Sequence, residues 1–219
     1  MTLHVFSYGS LIDEPEAPGA LTRVQPARWA EHRREFHLRS SYRGCARTDA
    51  LFPHLEVASF TRDDARDSLV LGTVPAPGRT LTGAVVSWSD PEGAVLADLD
   101  RREGYDPDDP AGSAYLRRRT TVTTADGPAE AWVYVTNPQH ARVVPLDLAM
   151  RARILLHATP RHAPRDRPRG AQYLLPLVRW LRDRALPAPD LEALVEAMEA
   201  QVGPLAAHPT AWVGAGGGG

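Results

Sequence analysis

Leu3, Val5 and Ser7 alternate with His4, Phe6 and Tyr8 along the first residues, so positions 2–8 are expected to form a strand, which Gly9 ends. Leu81 to Ser89 is apolar almost throughout, the pattern of a strand covered on both faces and therefore central. Tyr115 to Thr124 and Glu130 to Thr136 flank Ala125-Asp126-Gly127-Pro128, and a strong Asp-Gly turn between two β-rich runs predicts a hairpin. From Ala27 to Ser40 the positions of Trp29, Phe36 and Leu38 suit a helix or a strand. Helical periodicity is expected over 147–158, 171–185 and 189–203, the last opening at Asp190 with Leu191, Leu194, Val195 and Met198 on one face. Strands first and helices afterwards indicate an α+β fold.

Between the strand-rich part and the hairpin lies Asp90-Pro-Glu-Gly-Ala-Val-Leu-Ala-Asp-Leu-Asp-Arg-Arg-Glu-Gly-Tyr105. Asp90 as N-cap, Pro91 at the first helical position and Gly104 as C-terminal stop predict a helix over 91–103. Leu96 and Leu99 share its inward face, and Glu103 falls four residues beyond Leu99 on the same stripe. Partial burial and the negative end of the helix dipole both disfavour a charged carboxylate there, so a raised pKa is expected and Glu103 becomes a candidate general base. The alternative is a solvated helix end paired with Arg101 or Arg102.

Composition narrows the rest. With 219 residues and 43 % hydrophobic content, the chain is long enough for one domain with a real core. That domain is expected over 1–205, with a polar, Pro-punctuated excursion at 49–78 that suits a lid, and a Gly-rich flexible tail at 206–219. The net charge of -2, with all 25 basic residues Arg, provides no basic field for nucleic acid. No apolar stretch approaches the roughly 20 residues of a membrane span, and the first residues do not read as a signal peptide, so a cytoplasmic protein is expected. The single Cys45 excludes an intramolecular disulfide, and as a lone thiol it reads as a small buried hydrophobe. His157 and His162 have no carboxylate or thiolate company, and no metal or cofactor is expected. Ser10 lacks the Gly-x-Ser-x-Gly elbow of a serine hydrolase and is assigned to its loop.

Phe6-Ser-Tyr-Gly-Ser-Leu-Ile12, followed some ninety residues later by Leu99-Asp-Arg-Arg-Glu-Gly-Tyr105, resembles the γ-glutamylcyclotransferase superfamily, and most its ChaC-like branch. His32 to Gly44, Trp132-Val-Tyr-Val135 and Gly170-Ala-Gln-Tyr-Leu174 are similar to further segments of ChaC proteins in the same order. The resemblance implies a mixed β-sheet curled into a barrel and flanked by helices, with further C-terminal helices, and it favours a strand over 27–40. It also implies that backbone groups of Tyr8, Gly9, Ser10 and Leu11 bind a γ-glutamyl group. Gly9, having no Cβ, lets the main chain approach, and turn amides cradle a carboxylate or oxyanion. Tyr134 and either Tyr115 or Tyr105 are implied as supporting phenols. Arg43 is a candidate for bidentate binding of a substrate carboxylate, or else a surface arginine.

The chemistry implied is cyclisation. A γ-glutamyl compound carries its own nucleophile, the α-amino group, beside its own γ-carbonyl, and closure releases 5-oxoproline and a free amine. Such intramolecular attack gains effective molarities of about 10⁵ to 10⁸ M. It needs a base, an acid and oxyanion donors, and Glu103 fills the first two roles in turn. Two other readings remain open: a non-catalytic γ-glutamyl or amino-acid binding module, and a biosynthetic enzyme that removes a γ-glutamyl group from an intermediate. The sequence leaves the leaving amine, glutathione included, and the oligomeric state undetermined.

Overall fold

Alternating and β-branched segments at the start of the chain assemble around a closed barrel, and the periodic segments behind them become helices. The computed structural model describes residues 2–12, 20–45, 67–158 and 171–205, with backbone alone at 20, 41–45, 67 and 171–172. The strands are β1 (Thr2–Ser7), β2 (Ala20–Cys45), β3 (Asp67–Ser89), β4 (Tyr115–Thr124) and β5 (Gly127–Thr136). The helices are α1 (Ala94–Glu103), α2 (Leu148–Leu156), α3 (Ala171–Arg182) and α4 (Pro189–Val202). By internal contact the chain divides into two units, one of residues 1–35, 72–140 and 179–188, the other of 36–71, 141–178 and 189–219.

The first unit carries the barrel, in the order β1-β3-β2-β4-β5. β1 runs antiparallel to the end of β3, from Thr2 opposite Ser89 to Ser7 opposite Ala84, and meets β5 in parallel at Val5 and Trp132. β4 and β5 form the expected hairpin, with Thr124 opposite Gly127 and Tyr115 opposite Thr136. β2 joins β4 at Ala27 and Arg28. Val5, Phe6, Val86, Trp88 and Val133 are sealed from solvent, and the ring of Phe6 meets that of Trp29 edge-on at 6.0 Å. Glu31, at φ 61, bends β2 and stacks His32 back on Trp29 at 3.5 Å. Arg34, almost wholly buried, is held by the carbonyl and hydroxyl of Thr82.

In the second unit the continuation of β2 bonds to residues 142–144: the Arg39 amide donates to the Arg142 carbonyl and the Val144 amide to the His37 carbonyl, both at 2.8 Å. Asp147 caps α2 by accepting from the Met150 amide at 2.7 Å. Ile154, Leu155, Leu174, Leu177, Leu191, Leu194 and Met198 form its core, and Tyr173 meets Phe36 edge-on at 6.0 Å. Two segments singled out in the sequence, around Phe36 and around Tyr173, thus meet in packing.

Several boundaries differ from expectation. β3 begins at Asp67 rather than 81, so residues 67–78 of the expected 49–78 excursion are strand; its residues 49–66 lie outside the described residues, as does the 206–219 tail. α1 begins at Ala94 rather than 91, because residues 91–93 bend away and Gly93 takes φ 77. Asp90 still caps it from further out, accepting from the Val95 and Leu96 amides at 3.2 Å each. α3 ends at Arg182, short of 185, where Ala185 takes φ 52. None of the helices among the described residues is long and apolar enough to cross a membrane.

Candidate active site

β1 stops at Ser7 because the chain turns. Tyr8 and Gly9 bend, and Ser10–Ile12 make one 3-10 turn, closed by the Ile12 amide donating to the Gly9 carbonyl at 3.1 Å. The Gly9 amide reaches Ser7 Oγ at 3.4 Å, whereas the Ser10 and Leu11 amides meet no acceptor among the described residues. Backbone donors without a protein acceptor are suited to an anionic ligand. A Cβ on Gly83 would stand 2.2 Å from the Ser7 carbonyl oxygen and 2.9 Å from the Phe6 ring, so only glycine lets β3 run this close to the root of the loop.

Helix α1 brings its C-terminal turn to this loop. Val95 and Leu99 are its buried leucine-and-valine stripe, one position off the expected Leu96 and Leu99, since Leu96 is half-buried. Glu103 continues that stripe with its side chain 20 % exposed, and Gly104, at φ 67, closes the helix with the Tyr105 amide donating to the Asp100 carbonyl at 2.8 Å. Arg102 Nε stands 3.6 Å from Glu103 Oε1, and its Nη2 donates to Ser10 Oγ at 2.9 Å. Of the two arginines weighed as partners for Glu103, Arg102 is in reach; Arg101 pairs with Asp98 on the exposed side.

Asp100, one turn before Glu103, is the centre of a second set of bonds. Its carboxylate accepts from Tyr134 Oη at 2.8 Å and from the Arg117 guanidinium, while Tyr8 Oη donates to the Tyr134 carbonyl at 2.7 Å. Arg117 also lies over the rings of Tyr105, at 5.1 Å, and Trp132, at 4.8 Å. Burial pushes the Tyr134 phenol far above the ordinary tyrosine range; the bond to Asp100 and the charges of Asp100 and Glu103 add to the rise, and Arg117 opposes it. The phenol is therefore neutral at any physiological pH, with its proton turned toward Asp100.

Tyr8, Ser10, Glu103 and Tyr134 thus belong to a cluster of two bonded sets within the first unit, Ser10–Arg102–Glu103 and Tyr8–Tyr134–Asp100–Arg117, both resting on the last turns of α1. Tyr115 is buried opposite Thr136, two residues along β4 from Arg117, whereas Tyr105 touches the cluster directly under Arg117. Arg43 lies on β2, and its side chain is outside the described residues, as are that of Cys45 and the whole of His162. Asp100 and Arg117 escaped the sequence reading, and Arg102 entered it only as a partner for Glu103. The signal was present: once Asp126-Gly127 sets the hairpin, counting back places Arg117 opposite Tyr134, and Asp100 lies one turn from Glu103.

The sequence matches the family model described as "Gamma-glutamyl cyclotransferase, AIG2-like" over residues 5–150. Among solved structures it is similar to a yeast γ-glutamyl cyclotransferase specific to glutathione, with TM-score 0.66 and 18 % identity over 94 % of this chain and 98 % of that one. A structure described as a gamma-glutamyl cyclotransferase matches with TM-score 0.51 and 16 % identity over 89 % of this chain and 86 % of that one. An uncharacterized human protein matches with TM-score 0.51 and 17 % identity over 88 % and 86 %. No curated protein matches significantly.

Proposed function

From the premise that the chain belongs to the gamma-glutamyl cyclotransferase, AIG2-like family, we propose that it cyclises a small γ-glutamyl peptide or amide to 5-oxoproline and the free amine, with Glu103 as acid and base. The observation that carries this reading is Arg102, which ties the half-buried Glu103 to the loop whose Ser10 and Leu11 amides meet no acceptor among the described residues.

The steps follow from that arrangement. The bound α-ammonium gives a proton to Glu103 and becomes an amine; its lone pair attacks the γ-carbonyl carbon, and the carbonyl oxygen becomes an oxyanion against the loop amides. Preorganised donors of this kind are worth about 10² to 10³ in rate each. Collapse of the adduct breaks the bond to the leaving nitrogen as protonated Glu103 gives it a proton, and Glu103 then carries the second proton of the ring nitrogen to the released amine, so the lactam and an ammonium leave and the enzyme ends as it began. The substrate supplies the nucleophile. The segments Phe6–Ile12, His32–Gly44, Leu99–Tyr105, Trp132–Val135 and Gly170–Leu174, in that order, support a ChaC-like assignment, and the glutathione specificity of the yeast neighbour makes glutathione the first substrate to try.

Purified protein is to be incubated with glutathione, γ-glutamyl amino acids and γ-glutamyl amines while 5-oxoproline is followed. Glu103→Gln is expected to lower kcat by about 10² to 10⁴ with an unchanged melting temperature, as loss of a general acid–base group does. A variant as active as the parent removes Glu103 from the mechanism, and a parent silent across the whole panel favours the binding-module reading.

A further inference from the structure

We infer that Arg102 binds the α-carboxylate of the γ-glutamyl group, so that Arg102 and Glu103 together receive the two charges of an amino-acid end: guanidinium to carboxylate, carboxylate to ammonium. This rests on the proposed reading of the site as one for γ-glutamyl compounds and specifies which part of the substrate is selected.

Every such compound carries its ammonium and its carboxylate on one carbon, the two polar groups about 3 Å apart by bond geometry. An ammonium delivered to Glu103 therefore brings a carboxylate to within a few ångströms of the same acid. Without a cation beside it, that second negative charge repels Glu103 and opposes binding. Arg102 Nε stands 3.6 Å from Glu103 Oε1, close to the spacing of the two substrate charges. Its side chain is only 14 % exposed and its Nη2 is fixed on Ser10 Oγ at 2.9 Å, so the guanidinium is anchored at the ligand loop rather than in bulk water. The two side chains lie beside one another with opposite charges, and a zwitterion laid alongside them meets at each a group of the right sign.

The other nearby cations are otherwise engaged. Arg101 pairs with Asp98, its side chain 76 % exposed. Arg117 is held by Asp100 and by the rings of Tyr105 and Trp132. Arg102 alone of these three touches both the loop and the candidate base. Its planar fork also suits a carboxylate in two-point contact, which an ammonium does not reproduce.

The test crosses the protein with the substrate. Parent, Arg102→Met and Arg102→Lys are assayed on a γ-glutamyl amide and on the same compound with its α-carboxylate converted to a primary amide, which cyclises to 5-oxoprolinamide. The parent is expected to prefer the carboxylate form, and Arg102→Met to lose roughly ten- to a hundredfold more in kcat/KM on it than on the carboxamide, mostly in KM. Arg102→Lys retains part of the preference. Equal losses on both substrates in Arg102→Met, or a parent indifferent to the α-carboxylate, overturn the inference. Should the parent turn over neither compound, the cyclisation reading fails separately, and calorimetric binding of 5-oxoproline against 5-oxoprolinamide to parent and Arg102→Lys decides the role of Arg102: a carboxylate preference weakened by the substitution upholds it, and none sinks it.

Discussion

Tyr134 shows how far a single side chain is set by its neighbours. Its hydroxyl gives its proton to Asp100, so the oxygen can offer a ligand only a lone pair, and the phenol acts as an acceptor or as a brace. Its pKa is raised above the ordinary 10.0, so the neutral phenol's contribution to stability is whole below that value and is lost as pH climbs past it toward the folded-state value. Spectrophotometric titration is expected to show the Tyr134 tyrosinate appearing only with alkaline unfolding, read as the part of that late signal that Tyr134→Phe removes. Asp100 has a different vulnerability. Asp100→Asn keeps an acceptor for Tyr134 but turns an amide N–H₂ toward Arg117, at an expected cost of about 1 to 3 kcal/mol in denaturant unfolding. The partly buried placement of Glu103 was readable from helical spacing. Asp100 was not, because an acidic residue among Asp98, Arg101 and Arg102 looks like an exposed helix face until the Tyr134 rung of the hairpin is laid against it.

Among the elements, α1 carries the candidate base and is held at both ends by devices of different legibility. Gly104 marked the C-terminus correctly, since a left-handed residue there favours glycine. Asp90 marked the N-terminus but three residues too early: its carboxylate reaches over the bend at 91–93 to amides of the first turn, a loop-and-cap geometry that spacing rules fold into one position. Asp90→Ala is expected to destabilise by about 1 kcal/mol in chemical denaturation. Gly104→Ala should cost roughly 1 to 2 kcal/mol through left-handed strain, and because Glu103 precedes it, activity is expected to fall more than stability does. The hairpin was legible through its Asp126-Gly127 turn, although β5 begins at Gly127, three residues before the expected Glu130. β2 was ambiguous because Glu31 breaks the alternation of an otherwise extended run, and the start of β3 was hidden by the polar, Pro-rich stretch before Leu81.

At the scale of the molecule, all of the bonded cluster lies in the first unit, while the second has its own apolar interior. Leu194→Ala opens a cavity in that interior and is expected to cost about 2 to 5 kcal/mol. If the chemistry belongs to the first unit, kcat measured well below the new melting temperature stays within about twofold of the parent, since Leu194 belongs to the apolar interior of the second unit. Fold class and barrel order follow from strand pairings that no local pattern encodes; the parallel contact of Val5 with Trp132 is a tertiary fact, and only the family resemblance pointed to closure.

Gly83 shows where such a closed sheet has no slack. A single methyl group there would wedge between neighbouring backbones at the rung from which the Tyr8–Leu11 turn departs, displacing the hinge of the turn while leaving every polar side chain of the cluster intact. Directed variation that spares the charged residues yet samples this position is therefore expected to yield folded proteins with misaligned donors, a way of uncoupling shape from chemistry with the smallest change the genetic code allows.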